Sequence, residues 1–105
     1  MGKVTRMPQA EESRLEIWSY VAQDNIDAAD RLVTQIDERC EFYADSPLLG
    51  SICAELGEYT RRFQVGRCEV YYRPTADGIL ILLAGHSARD IQAVNRAAFE
   101  DKQDD

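Results

Sequence analysis

The sequence YTRRFQVGRCEVYYR, residues 59–73, alternates between apolar and polar side chains and is interrupted once by a glycine. Alternation with a period of two is typical of strands that cover a core with one face, so this stretch predicts two strands. Gly66 and Arg67 supply a tight turn, which makes the pair an antiparallel hairpin. Residues 74–78 form a second turn, and the wholly apolar run 79–83 after it predicts a central strand.

Before this stretch the hydrophobic period is 3.6 instead of two, and it predicts two helices. The first covers about residues 10–22 and places Leu15 and Trp18 on one stripe with Ala22. The second helix has Asp27 as its expected N-cap, because aspartate accepts hydrogen bonds from the first turn. Its inward stripe follows helical spacing: Ala29, Leu32, Val33, Ile36, Cys40 and Tyr43.

Serine and proline at residues 46–47 end the second helix, because the residue before a proline is pushed out of the helical region. Two helices joined by about four residues form an antiparallel hairpin. Residues 3–7 are expected to form a short edge strand, and residues 88–99 a last helix. The order β-α-α-β-β-β-α predicts an α+β fold, with an N-terminal helical hairpin packed on a small antiparallel sheet. We expect one domain over residues 1–105, with a flexible acidic tail at 100–105.

The charge of the chain is unevenly distributed. The sequence has 19 acidic residues against 12 lysines and arginines, for a net charge of −7. Residues 11–58 hold twelve acids and three arginines, whereas residues 59–73 hold four arginines and one glutamate. An acidic surface repels nucleic acid at long range, which disfavours a general RNA or DNA binder. The local arginines remain able to contact phosphate or an acidic partner.

The cysteines and the single histidine predict neither a metal site nor a cofactor. Cys40, Cys53 and Cys68 are an odd number without C-x-x-C spacing, and His86 is the sole histidine. Buried thiols in a reducing cytosol fit this pattern better than disulfides or zinc ligands. No apolar run reaches the roughly 18 residues of a membrane helix, and no secretory signal is visible. We therefore expect a soluble cytoplasmic protein without membrane contact.

The arginines of the predicted sheet have two interpretations. Arg62, Arg67 and Arg73 either solvate an open face of the sheet or bind an anion or an acidic partner, as guanidinium groups do. Tyr71 is the aromatic residue expected on the open side with Arg62 and Arg73. His86, at a strand end, is either an acid–base group near neutral pH or a loop-capping residue.

Seven segments in this order and spacing resemble the RelE/ParE toxin superfamily of type II toxin–antitoxin modules, above all its ParE-like plasmid-stabilisation branch. The segments are residues 10–22, 24–32, 46–50, 55–56, 61–65, 70–73 and 85–91. The resemblance implies a bacterial toxin that inhibits DNA gyrase by protein contact, without an active site of its own. Arg62 matches the strand arginine of that branch, and His86 with Arg89 and Asp90 matches its post-strand motif.

Two other activities remain open at the level of sequence. A RelE-like, ribosome-dependent mRNA endonuclease would use Arg62, His86 and Arg89 as catalytic residues. Its docking among ribosomal phosphates is unfavourable for a chain of net charge −7, and no tyrosine follows Tyr72. A non-toxic binding module of the same fold is the third possibility. The sequence therefore favours an inhibitor over an enzyme.

The resemblance also implies a hetero-oligomer with a cognate antitoxin, whose C-terminal segment is disordered alone and folds on its toxin. Such a segment needs buried apolar anchors and complementary charge. We expect a groove beside the helical hairpin to receive the anchors, and arginines of the sheet to pair with carboxylates. The residues expected to contact the antitoxin or the target are Leu15, Trp18, Leu32, Ile36, Arg62, Arg67, Arg73 and Arg89. Neither sequence-specific nucleic-acid binding nor a metal is expected.

Overall fold

The computed structural model describes residues 2–85, in which two long helices pack on a five-stranded sheet. The predicted helix over 88–99, the tail 100–105, His86 and Arg89 lie outside the described residues. The elements are β1 (Lys3–Arg6), α1 (Pro8–Ala22), α2 (Ile26–Asp45), β2 (Ser51–Ile52), β3 (Arg61–Val65), β4 (Cys68–Pro74) and β5 (Gly78–Gly85), with short 3₁₀ turns at Pro47–Leu49 and Ala54–Leu56.

Both helices begin at residues suited to a helix start. Pro8 opens α1, where its missing N–H costs nothing and its fixed φ suits the first turn. Asn25 caps α2, and its side-chain oxygen accepts a hydrogen bond from the Ala28 amide at 3.0 Å. The predicted cap was therefore wrong by two residues. Asp27 lies inside the first turn instead, where an acidic side chain favours the helix dipole.

The strand order β1-β5-β4-β3-β2 confirms the α+β class, with the helical hairpin on one face of the sheet. The sheet is mixed instead of wholly antiparallel, because β1 runs parallel to β5. Parallel neighbours need a long crossover connection, and the chain between β1 and β5 includes the whole α1–α2 hairpin. The short strand β2, which pairs with β3, was not predicted.

The main core lies between the hairpin and the face of the sheet that we call the first face. Its aromatic centre is formed by Tyr43, Phe63 and Tyr72, with the Tyr43 and Phe63 rings stacked at 4.4 Å between centroids. The predicted stripe of α1 was wrong, since α1 turns Ser13 inward and leaves Leu15 63% exposed. The Ser13 hydroxyl accepts a hydrogen bond from the Ala84 amide of β5 at 3.1 Å, which fixes the rotation of α1 over the sheet.

The opposite, second face of the sheet carries a smaller apolar cluster of its own. Tyr71 and Leu83 are partners across β4 and β5, and a bulge in this pairing adds Leu82 to the same cluster. Cys53 completes the buried set. Tyr71 therefore lies on the predicted side of the sheet, but it is 1% exposed instead of open to solvent.

Candidate interface for a protein partner

Arg62 points from β3 to the second face, where it is already engaged within the protein. Its guanidinium Nη1 lies 3.0 Å from Glu69 Oε1, and the Tyr71 hydroxyl lies 3.4 Å from the other carboxylate oxygen. The Glu69 carboxylate raises the pKa of Arg62 above its ordinary value, so the cation is permanent. Because the Arg62 side chain is 44% exposed, the pair is screened by water and contributes under about 1 kcal/mol.

Arg73 lies on the same face of β4 as Tyr71, diagonal to Arg62 across the hairpin. Its Nε is buried and makes no hydrogen bond, and among residues 2–85 it forms no ion pair. A Cβ built on Gly57 would lie 3.2 Å from the Arg73 Nη2, and Gly57 also has a φ of +144°. The positive φ therefore favours glycine at position 57. The Arg73 guanidinium beside it retains N–H donors for another group.

The structure does not bring the three predicted strand arginines into one site. Arg62 and Arg73 share the second face, whereas Arg67 is exposed in the turn between β3 and β4, beside Gly66. Arg89, the fourth predicted arginine, lies outside the described residues. Arg67 therefore does not belong to the face that carries Arg62 and Arg73.

The four residues predicted to line the anchor groove beside the hairpin differ in exposure. Leu15 is exposed, and Trp18 lies half-exposed one turn later, with its indole N–H donating to Asp30 at 2.7 Å. Leu32 packs against the core from α2, and Ile36 is 3% exposed within it. A partner could therefore reach Ile36 only by opening the core.

A second apolar surface, which the sequence reasoning missed, lies at the β2 end of the sheet. We call it the β2 rim, and it consists of Leu48, Leu49 and Ile52, which are 70%, 64% and 68% exposed. In the sequence, Leu48 and Leu49 belong to the segment 46–50 that resembles the toxin superfamily, but no exposed apolar surface was predicted there. The available signal was three large aliphatic side chains within five residues, in a segment without helical or strand periodicity.

Two groups of residues that would point to other chemistry are absent from the described part of the chain. Residues 2–85 bring no three histidine, cysteine, aspartate or glutamate side chains together around a metal position. Neither α1 nor α2 is long and apolar enough to cross a bilayer. Cys40, Cys53 and Cys68 are buried without a disulfide, and burial raises the pKa of the Cys68 thiol.

Comparison with known proteins assigns the chain to a family. The family model described as the ParE toxin of the type II toxin–antitoxin system parDE matches residues 4–91. The chain belongs to the ParE toxin family. A solved structure described as the chromosomal ParDE TA system from P. aeruginosa has a TM-score of 0.68 and 16% identity to this chain. The alignment covers 83% of this chain and 97% of that one, and at this identity it establishes the fold. The search of curated proteins finds no match.

Membership in the ParE family implies an antitoxin partner. A partner protein must bury side chains that the toxin leaves exposed, since burial of apolar area drives association. Such side chains among the described residues include Leu15 on α1, with the half-exposed Trp18 one turn later, and the β2 rim. Arg62 and Arg73 add positive charge on the second face.

Proposed function

We propose that this ParE-family chain is a toxin that inhibits DNA gyrase by protein contact and that a cognate antitoxin neutralises it in the cytoplasm. The family match over residues 4–91 carries the proposal, because it includes every described strand and helix from β1 to β5 except the first residue of β1. Plasmid stabilisation, the role of the branch that the sequence resembles, would follow from loss of the antitoxin in cells that lose the operon.

The charges of the chain favour a protein target over a ribosomal one. A net charge of −7 opposes entry into a site lined by RNA phosphates. Arg62, which the endonuclease alternative requires for phosphate, is paired with Glu69. A phosphate would have to compete with that carboxylate, whereas a protein surface can use the exposed apolar side chains and leave the pair intact.

A supercoiling assay with purified gyrase tests the target. Folded toxin should inhibit supercoiling of relaxed plasmid, and an equimolar amount of the antitoxin should restore it. Relaxation by topoisomerase I in the same buffer is the control, because a non-specific effect on DNA would disturb both enzymes. Full supercoiling at a tenfold molar excess of folded toxin would contradict gyrase as the target.

Induced expression without the antitoxin separates the other activities. A gyrase inhibitor should arrest growth and provoke a DNA-damage response. Codon-associated cuts in translated messages, mapped by primer extension, would instead establish the endonuclease. Normal growth at confirmed levels of folded protein would identify a non-toxic binding module.

A further inference from the structure

The backbone that carries the β2 rim is fixed by hydrogen bonds from the sheet below it. The Tyr72 hydroxyl donates to the Pro47 carbonyl at 2.6 Å and accepts from the Gly50 amide at 3.0 Å. Arg61 reaches the same turn from β3, and its Nη1 donates to the carbonyls of Leu48 and Gly50 at 3.0 and 2.8 Å. Four hydrogen bonds to buried or half-buried side chains therefore fix the backbone that presents the rim.

The packing below the turn is equally tight. Gly50 is buried, and a Cβ at this position would lie 2.2 Å from the Tyr72 hydroxyl. Tyr72 itself has no exposed surface and is wedged against Tyr43 and Phe63. A surface that is already ordered loses little conformational entropy on binding, which makes its apolar side chains effective anchors.

The β2 rim also adjoins an unpaired strand edge. β2 is the terminal strand of the sheet and pairs with β3 through Ser51 and Ile52, so its outer edge has no strand neighbour among the described residues. Neither residue is charged. Natural proteins usually block such edges with charge or proline, and an edge left open beside apolar side chains can accept an added strand.

We propose that the β2 rim is the docking surface of an extended antitoxin segment, which extends the sheet at β2 and places apolar side chains against Leu48, Leu49 and Ile52. This inference rests on the proposed function, since it needs an antitoxin. The charge that the structure places beside the rim is that of Arg61, whose guanidinium donates to the Leu48 and Gly50 carbonyls. The segment therefore carries aspartate or glutamate beside its apolar residues.

A second copy of this chain is a poorer occupant than an antitoxin. Three aliphatic side chains cover roughly a few hundred Å², well below the roughly 800 Å² per partner of a standard stable interface. Two copies would also bring together chains that each carry a net charge of −7. An antitoxin segment can continue from the rim over further toxin surface, such as Leu15 on α1, and so reach the area that stable binding requires.

The test compares a rim variant with a matched exposed position. The rim variant carries Leu48→Gln and Ile52→Thr, which keep the size of one side chain and the β-branching of the other. Ile26→Gln is the control, because Ile26 is an exposed aliphatic residue at the start of α2, away from the sheet edge. The ligand is the product of the gene immediately upstream, titrated calorimetrically into each full-length toxin after its unfolding midpoint has been checked.

We expect the rim variant to bind the upstream product at least 30-fold more weakly than wild type, the control to bind within twofold, and both to arrest growth. Binding of the folded rim variant within threefold of wild type overturns the inference alone. Retained binding with lost arrest also overturns it, since the rim would then serve the target. A wild-type chain that neither binds nor arrests growth overturns the proposed function together with the inference.

Amide hydrogen exchange on the wild-type toxin provides a second measurement that needs no substitution. Strand addition at β2 should slow exchange in residues 51–52 at least tenfold on complex formation, while the β3–β4 turn at residues 66–67 remains unchanged. Equal exchange at residues 51–52 in the free and bound toxin would overturn strand addition even if the rim variant binds weakly.

Discussion

The two edges of the sheet are built in opposite ways. β1 exposes Lys3 and Thr5 on the face opposite Val4 and Arg6, and the Arg6 guanidinium lies 3.3 Å from the Asp37 carboxylate. β2 exposes Ile52 and carries no charge. Charge on an edge strand disfavours pairing with another strand, whereas an uncharged edge beside leucines can pair with one. The docking surface that we propose lies at the uncharged edge.

The two edges are also held by different means. β1 is fixed by backbone pairing with β5, and the Lys3 amide donates to the Asp77 carbonyl at 2.8 Å. It is also fixed by the Asp37 carboxylate, which Arg6 of β1 shares with Arg14 of α1. β2 has a ladder of only two residue pairs, and most of its support comes from Tyr72 and Arg61 beneath the preceding turn. We therefore expect substitutions beside β1 and beside β2 to change the free energy of unfolding by different amounts.

The largest effect is expected from Gly78→Ala under β1. A Cβ at Gly78 would lie 1.9 Å from the Lys3 carbonyl oxygen and 2.4 Å from its nitrogen, and backbone atoms cannot rotate away. We expect β1 to be displaced and the free energy of unfolding in urea to fall by about 3 kcal/mol. Gly66→Ala is the control, since it has a φ of +58° but no atom within 4 Å. The control should lose about 1 kcal/mol, and equal losses in the two variants would contradict the steric argument.

Alkaline pH should weaken the region beneath β1 by a slightly smaller amount. Burial, opposed in part by Arg6, raises the pKa of the Cys40 thiol from 9.0 to about 11. The folded state therefore retains the thiol proton that the unfolded chain loses. This contribution is complete below pH 9 and is lost as the pH rises to about 11, at a cost of roughly 2–3 kcal/mol. Urea unfolding at pH 8 and pH 11 should show a smaller alkaline loss in Cys40→Ala than in wild type. Identical losses would mean that other groups dominate.

Under β2, Tyr72→Phe is expected to cost about 2 kcal/mol. The substitution removes the hydroxyl that serves both the Pro47 carbonyl and the Gly50 amide, and it leaves those buried groups without partners. Tyr59→Phe is the matched control, because the Tyr59 side chain is largely exposed. If both variants unfold at the same urea concentration, the turn does not depend on Tyr72. The β2 rim would then be less rigid than the hydrogen bonds indicate.

The parts of the fold that were predictable are those with strong periodicity. The stripe of α2 was recognised because Ala29, Val33, Ile36 and Cys40 recur at helical spacing and are all buried. The stripe of α1 was not, because apolar residues occur on several sides of that helix and the residue in contact with β5 is Ser13. A serine that satisfies a strand amide produces no hydrophobic signal.

The candidate site was less predictable because its geometry arises from tertiary contacts. The alternation of the two strands predicted that Arg62 and Tyr71 share a face. The pairing of Arg62 with Glu69 depends instead on the directions that the side chains take across that face. The parallel pairing of β1 follows from the path of the chain over the hairpin, which no local pattern specifies. The β2 rim was missed because a strand of two residues is too short to show alternation.

The smallest change in stability, and the sharpest test of the contrast between edges, is expected from Lys3→Ile with Thr5→Ile. Both side chains are exposed on β1, so the free energy of unfolding should change by less than about 0.5 kcal/mol. The charge of Lys3 would be gone, and two aliphatic side chains would lie beside an edge that has no strand neighbour among residues 2–85, as at β2. We therefore expect concentration-dependent self-association in sedimentation experiments. Lys3→Arg with Thr5→Ile keeps the positive charge and should remain as dispersed as wild type. A double isoleucine variant that stays monomeric at the same concentrations would show that charge is not what closes the β1 edge, and the open character of β2 would then have to rest on its rigid leucines alone.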